Sequence, residues 1–236
     1  MSDYEYQGSE LDLFQHAVNW KRYYASQLQP YITGDVLEVG AGLGGTSRFL
    51  CRGTEASWTC LEPDRSLLEE ARRRLVAERL ADRCEFVCGT TASFAPARRF
   101  GAILYIDVLE HIEDDRGELR GAAEHLAPGG VIVVLAPAHQ ALFTEFDRAL
   151  GHFRRYDKAS LAAVAPADLR RERLFYVDAA GLAASLGNRL FLRQALPTPG
   201  QVAVWERRLV PLSRVLDKLL GWRIGKSIIG VWRKPR

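Results

Sequence analysis

The chain has 236 residues, of which 47% are apolar, and a formal net charge of +3. Its length and apolar content suit one large α/β domain with a packed core and exclude wholesale disorder, while so small a net charge gives no reason to expect nucleic acid as a partner. Residues 1–7 have neither a basic segment nor an apolar one of signal-peptide type, and no apolar run reaches the roughly 18 residues of a membrane span, so a cytoplasmic protein is expected.

The first predicted element is a helix from Ser9 to Gln29. Ser9 is its cap, and Leu13, Phe14, Ala17, Val18, Trp20, Tyr24 and Leu28 recur at helical spacing before Pro30 ends it. A strand follows at Asp35 to Val39, then Gly40-Ala-Gly-Leu-Gly-Gly45, then a helix over 44–52. Further strands are predicted at 57–61, 84–88, 100–107 and 131–136. The helices between them cover 65–81 and 115–126, and Pro128-Gly129-Gly130 makes a turn. This alternation implies a parallel sheet with right-handed crossovers. A long connection, 137–156, leads to a helix at 158–164 and a strand at 173–177. Residues 179–223 read as a mostly helical insertion broken by Pro197, Pro199 and Pro211, and 227–232 as a last strand. A last strand reached without a crossover helix on the usual side should run antiparallel.

The expected architecture is therefore a doubly wound, mostly parallel seven-stranded Rossmann-like sheet with its last strand antiparallel. Within this single domain, 1–33 is a helical cover, 34–136 a cofactor-binding core and 137–178 a substrate-side half. Residues 179–225 form a helical lid, and 226–236 the last strand and tail. From Trp205 onward, nine basic residues (Arg207, Arg208, Arg214, Lys218, Arg223, Lys226, Arg233, Lys234, Arg236) face two acidic ones, Glu206 and Asp217. Interleaved with Leu and Trp, they leave a weak membrane-surface contact open. The oligomeric state is not legible. Cys51, Cys60, Cys84 and Cys88 form no C-x-x-C pair, and none lies near a histidine at zinc spacing. They read as small buried thiols, and no metal is expected.

The glycine-rich turn between strand and helix is a nucleotide-type site. Its glycines let backbone approach a ligand, and the helix behind it presents free N–H groups. Gly40, Gly42 and Gly45 satisfy the dinucleotide spacing G-x-G-x-x-G. Glu38 speaks against a dinucleotide, because a carboxylate there would face a pyrophosphate. A cofactor with an ammonium group would suit it better. An NAD-dependent oxidoreductase would also need a second domain that this chain does not provide.

Four segments carry a more specific resemblance. Val36-Leu-Glu-Val-Gly-Ala-Gly-Leu-Gly44, Glu62 at the end of the second strand, Tyr105-Ile-Asp-Val-Leu-Glu-His-Ile112 and Leu126-Ala-Pro-Gly-Gly-Val-Ile-Val-Val134 resemble the class I S-adenosylmethionine-dependent methyltransferases. Gly151-His-Phe-Arg-Arg-Tyr156 is similar to a segment of a bacterial small-molecule subgroup. The resemblance implies S-adenosylmethionine as methyl donor, with S-adenosylhomocysteine as product. It implies that Glu38 takes the amino group, that Gly40 and Gly42 pass the methionine part and that Glu62 takes the ribose hydroxyls. Pro63 or Asp64 would flank the adenine, and Asp107 and Val108 would lie near the methionine end. Thr90 stands where many relatives carry an acid, so a threonine or backbone group must read the adenine amino group. Trp20 and Tyr24 would close over the cofactor.

Loops after strands carry chemistry in open α/β sheets. His139 and His152, with His111 behind the fourth strand, are therefore the candidate bases, and Phe143, Phe146, Phe153 and Tyr156 the candidate acceptor contacts. Arg154 and Arg155 would pair with an acidic substrate group or with Glu145 and Asp147. The expected reaction is methyl transfer to a small apolar or aromatic acceptor, a natural product or a lipid or glycan precursor, through oxygen, nitrogen or carbon. A non-catalytic cofactor-binding or scaffold protein at a membrane surface is the alternative.

Overall fold

The apolar runs at 102–106 and 131–136 lie side by side at the centre of a seven-stranded sheet. The structure is a computed structural model that describes residues 14, 16–187 and 198–236. The strands are β1 (Asp35–Val39), β2 (Ser57–Glu62), β3 (Cys84–Cys88), β4 (Phe100–Ile106), β5 (Leu126–Pro137), β6 (Arg170–Val177) and β7 (Ser227–Arg233). Their spatial order is β3-β2-β1-β4-β5-β7-β6, and β7 runs antiparallel to both β5 and β6. The architecture and the reversed last strand are those expected.

Successive strand residues point to opposite faces, and both faces are covered. Val36, Trp58, Leu104, Val133 and Ile229 form one core with Trp20, Tyr24 and Leu28 of α1 (Val18–Leu28), Leu50 of α2 (Ser47–Leu50) and Leu75 of α3 (Arg65–Ala77). Leu37, Leu61, Ile103, Val134 and Ile228 form the other with Leu119 of α4 (Asp115–Glu124) and Leu161 of α6 (Lys158–Val164). Leu37, Leu104 and Ile103 are fully buried, each contributing about 1.5–3 kcal/mol. Between these lies the short helix α5 (Glu145–Ala149).

Three boundaries differ from expectation for physical reasons. β5 begins at Leu126 because the Pro128-Gly129-Gly130 turn is absorbed into it as a bulge. Pairing with β4 jumps from Phe100–Leu126 to Ala102–Val131, and Gly129 takes φ +78. α2 is a single turn. Pro211 does not break the insertion. After α7 (Ala179–Gly187), the helix α8 (Pro199–Val204) passes through a π-helical turn (Trp205–Leu209) into α9 (Val210–Leu219). Proline lacks the N–H and crowds the carbonyl four residues back, and the wider turn accommodates both defects. α9 exposes Leu212, Val215 and Leu219 on its outer face. Ser9 and Pro197 lie outside the described residues. Among the described residues no helix is long and apolar enough to cross a membrane.

The strand order turns back between β1 and β4. Connections leaving these neighbours diverge, which opens a crevice at the carboxyl ends of the strands. α1, α7 and the α8–α9 helix roof that crevice.

Candidate active site

Beyond β1 the backbone turns through Gly40, Gly42 and Gly44, all at positive φ. Gly40 admits no side chain. Its φ is +66, and a Cβ would stand 2.6 Å from Val108 Cγ2. The turn is tied to β2. Ala41 N–H donates to the Leu61 carbonyl at 3.0 Å, and Gly42 N–H to Glu62 Oε2 at 2.8 Å. The other Glu62 oxygen accepts Asp64 N–H at 3.1 Å, and Asp64 caps α3 through the N–H groups of Ser66 and Leu67. Each Glu62 oxygen thus takes one backbone donor and keeps acceptor capacity for a ligand. Burial raises its pKa.

A cavity of about 1790 Å³ opens over this turn. Trp20, Tyr24, Gly40, Gly42, Glu62, Pro63, Thr90, Asp107 and Val108 all line it. The Tyr24 hydroxyl lies 3.1 Å from Thr46 Oγ1, tying α1 to the turn. Thr90 N–H donates to Ser93 Oγ at 3.0 Å. Asp107 holds φ +54, a conformation aspartate tolerates better than most residues, and its N–H donates to the Leu135 carbonyl at 2.8 Å.

Glu38 is a correction. It does not line the cavity. Strand alternation puts it on the Val36 face, where its carboxylate accepts from Trp58 Nε1 at 3.0 Å and from Ser47 Oγ at the start of α2. Burial pushes it up to about 7 against those two hydrogen bonds, with Glu62 adding to the rise.

The connection after β5 sorts the remaining candidates. Its ends close on each other: Tyr156 N–H donates to the Pro137 carbonyl and His139 N–H to the Tyr156 carbonyl, both at 2.9 Å. It is a compact loop with a packed neck. Of the neck residues, His139 and Tyr156 do not line the cavity. His139 lies outside the cavity, stacked on Tyr176 at 4.9 Å with Nε2 3.0 Å from the Gly225 carbonyl. Tyr156 is buried and donates to Asp115 Oδ2 at 2.7 Å. Phe143 also stands off the cavity, under the Arg148 guanidinium. Residues of the loop's middle do line it, Phe146, His152 and Phe153 among them.

At this far end Asp147 organises the loop. It accepts Thr144 N–H at 2.8 Å and a two-pronged contact from Arg155 at 2.7 and 2.9 Å, and it stands 3.1 Å from His152 Nδ1. Burial works to raise Asp147, but the His152 and Arg155 contacts prevail and hold its carboxyl well below the usual range. Arg154 is likewise paired, with Asp115 at 2.6 Å. The rings of His111 and His152 meet edge to face at 4.5 Å, and His111 is pushed down to about 4 by burial and by His152. Glu110 beside them is fully buried, and neither carboxylate oxygen has a hydrogen-bond partner. Burial and then Asp107 drive its pKa well up.

Glu110 and Lys21 are among the cavity-wall residues that sequence reasoning missed. Glu110 was visible in the Glu110-His111 pair of the fourth-strand segment. Lys21 carried no signal, being one of 32 basic residues. Its ammonium lies against the glycine turn, where a Cβ on Gly45 would stand 2.8 Å from Nζ. Burial, then Arg48 and Arg74, lower it to about 8, opposed by Glu206 and Asp107.

Residues 37–132 match the model of a family described as methyltransferase domain. That stretch holds the glycine turn, Glu62 and Asp107, and to this extent the chain is similar to methyltransferase domains. Across 130 residues it is 31% identical to the demethylmenaquinone methyltransferase of Tropheryma whipplei, a match covering 55% of this chain and 53% of that one. The chain thus spans about half the length of that relative. In structure the chain is similar to the N-methyltransferase NodS of Bradyrhizobium japonicum (TM-score 0.57, 16% identity, 96% and 99% covered). It is equally similar to the [4+2]-cyclase SpnF (TM-score 0.61, 16% identity, 92% and 81% covered). These last two likenesses show the fold alone, and the cyclase shows that this fold does not dictate the reaction. The cofactor of the methyltransferase family is S-adenosylmethionine. The residues present fit it: a side-chain-free turn at Gly40, a paired acceptor at Glu62 and a cation, Lys21, beside the turn.

Proposed function

We propose that this chain transfers a methyl group from S-adenosylmethionine to a small apolar or aromatic acceptor. One observation carries the reading. The cavity that begins at the glycine turn and Glu62 continues past Asp107 to Phe146 and Phe153. Its volume of about 1790 Å³ exceeds the roughly 300–1,000 Å³ of a typical one-ligand site, so it has room for an acceptor beside the donor.

Glu62 would take the ribose diol with its remaining acceptor sites. Pro63 and Thr90 would border the adenine, and Asp107 and Lys21 the charged groups of the methionine part. Trp20 and Tyr24 would cover that end. When bound, S-adenosylmethionine supplies a methyl made electrophilic by its sulfonium. The chain's task is then to hold the acceptor atom in line and exclude water. Phe146, Phe153, Leu209 and Trp205 offer the acceptor an apolar wall. Glu110, His111 and His152 border the cavity where a hydroxyl acceptor would lose its proton.

Calorimetry with S-adenosylhomocysteine and with NAD tests the cofactor, and transfer of a labelled methyl into a metabolite extract tests turnover. Binding of the first ligand alone, with labelled product, is expected. NAD binding without S-adenosylhomocysteine binding would overturn the reading. Cofactor binding with no labelled product across broad extracts would leave a non-catalytic binding protein instead.

A further inference from the structure

We propose that Glu110, His111 and His152 form a binding site for a divalent first-row transition-metal ion. One ligand atom from each lies within 4.8 Å of the other two, and all three residues line the cavity. Three features independent of that clustering favour an ion.

Glu110 is fully buried, yet both of its carboxylate oxygens lack a hydrogen-bond partner. A buried polar group left so costs about 1–3 kcal/mol, more if charged. The guanidinium of Arg155, the cation acting on Glu110, is already engaged by both oxygens of Asp147. A bound cation supplies the missing partner.

His152 has the carboxylate partner that metal-binding imidazoles commonly have. Its Nδ1 stands 3.1 Å from Asp147 Oδ1. A carboxylate there fixes the proton on Nδ1 and leaves the Nε2 lone pair for a ligand. Asp147 is itself locked by Thr144 and Arg155, so the imidazole is held before any ion arrives.

The donor set selects the ion class. Two imidazoles and one carboxylate suit zinc, manganese, iron or cobalt, whereas magnesium and calcium favour all-oxygen shells. Three protein ligands facing a cavity leave coordination positions open, as catalytic sites do. If the methyl-transfer reading holds, on which this one step rests, the ion would bind the acceptor's hydroxyl oxygen and make its proton more acidic. That proton passes to water, the O–CH₃ bond forms and the S–CH₃ bond breaks, leaving neutral S-adenosylhomocysteine. Metal binding itself does not depend on that reading. It also departs from the expectation, drawn from cysteine and histidine spacing alone, that the chain holds no metal. Glu110 and His111 are adjacent, and His152 reaches them only through the fold.

The test is equilibrium dialysis of the full, tag-free chain against Co²⁺, Mn²⁺ and Zn²⁺ separately, with bound metal measured by elemental mass spectrometry. One equivalent per chain is expected, and the Co²⁺ form should show visible absorption from imidazole ligation. Glu110→Gln, nearly isosteric, and His152→Ala should each weaken Co²⁺ binding at least 10-fold while S-adenosylhomocysteine affinity changes less than 2-fold. Absence of bound metal in the unmodified chain at millimolar ion would overturn the proposal without relying on any variant. So would binding that both substitutions leave unchanged. S-adenosylhomocysteine calorimetry on the same samples keeps the readings separate, since loss of cofactor binding with metal retained refutes only the methyl-transfer function.

Discussion

The Glu206 carboxylate accepts the N–H of Trp20 at 3.1 Å, across 186 residues of sequence, and also accepts the N–H of Asn19. A residue of the inserted roof therefore caps the first helix, since Ala17 at its N-terminus provides no side-chain cap of its own. Glu206→Ala should lower stability by about 0.5–2 kcal/mol, the usual value of a lost N-cap. It should also weaken S-adenosylhomocysteine binding, because Trp20 and Tyr24 depend on that helix. Thermal melts and calorimetry check both. An unchanged melting temperature would show that the contact contributes nothing.

Lys21 gives a pH signature. Its ammonium is lowered to about 8 and lies beside the glycine turn. It is charged below that pH, so affinity for the carboxylate-bearing cofactor should fall as pH rises from 7 to 9.5. Lys21→Met should bind about 10–100-fold more weakly at pH 7, the scale of a charge-assisted hydrogen bond, and lose most of the pH dependence over that range. Parallel profiles for the two proteins would remove Lys21 from the cofactor contacts.

Glu38 predicts a pH dependence of stability rather than of affinity. Its carboxyl titrates near 4.5 when exposed and is pushed up to about 7 in the fold. Between those values the folded state keeps a proton that the unfolded state has lost, so stability falls as pH rises through the window. Ser47, Trp58 and Cys60 pack around it, and Glu62 is its charged neighbour. Glu38→Gln should therefore gain on the unmodified chain by about 1–3 kcal/mol between pH 4.5 and 7, read from denaturant melts across pH. A pH-independent difference would contradict this account.

Gly40→Ala tests the turn. The added methyl meets Val108 Cγ2 and must sit at φ +66. We expect a loss of about 1–3 kcal/mol and at least 10-fold weaker S-adenosylhomocysteine binding. Adding Val108→Ala removes the overlap but not the backbone strain, so the double variant should recover only part of the loss. Full recovery would mean the backbone conformation contributes little.

Much of the fold was legible because its signal is local. β1 and β3 stand where apolar runs and turn residues put them, and the glycine turn follows from its own spacing. The site was legible wherever a residue belongs to such a segment, as with Glu62 and Asp107. What was not legible depends on direction or distance. The two-residue period of β1 already places Glu38 with Val36 rather than toward the turn's ligand, but the motif drew attention to the residue and not to its face. His139, Phe143 and Tyr156 share a loop with Phe146 and His152. Which of them face the cavity depends on how the loop closes on itself through Tyr156 and Pro137 and packs, which no local pattern shows. Lys21 and Glu206 act through partners that no local pattern names.

The Tyr23 hydroxyl donates to Asp217 at 2.6 Å across 194 residues, and Asp217 also accepts the N–H groups of Asp178 and Ala179 that start α7. Asp178 in turn accepts from Ser213 at 2.6 Å and Trp205 at 2.8 Å. At about 5–20 residues per second of synthesis, Tyr23 leaves the ribosome roughly 10–40 seconds ahead of its partner. The hold that Asp217 has on α1 can thus form only after most of the chain has been made. Asp217→Ala should consequently loosen two places far from it in sequence at once, α1 through Tyr23 and the start of α7 through the N–H groups of Asp178 and Ala179.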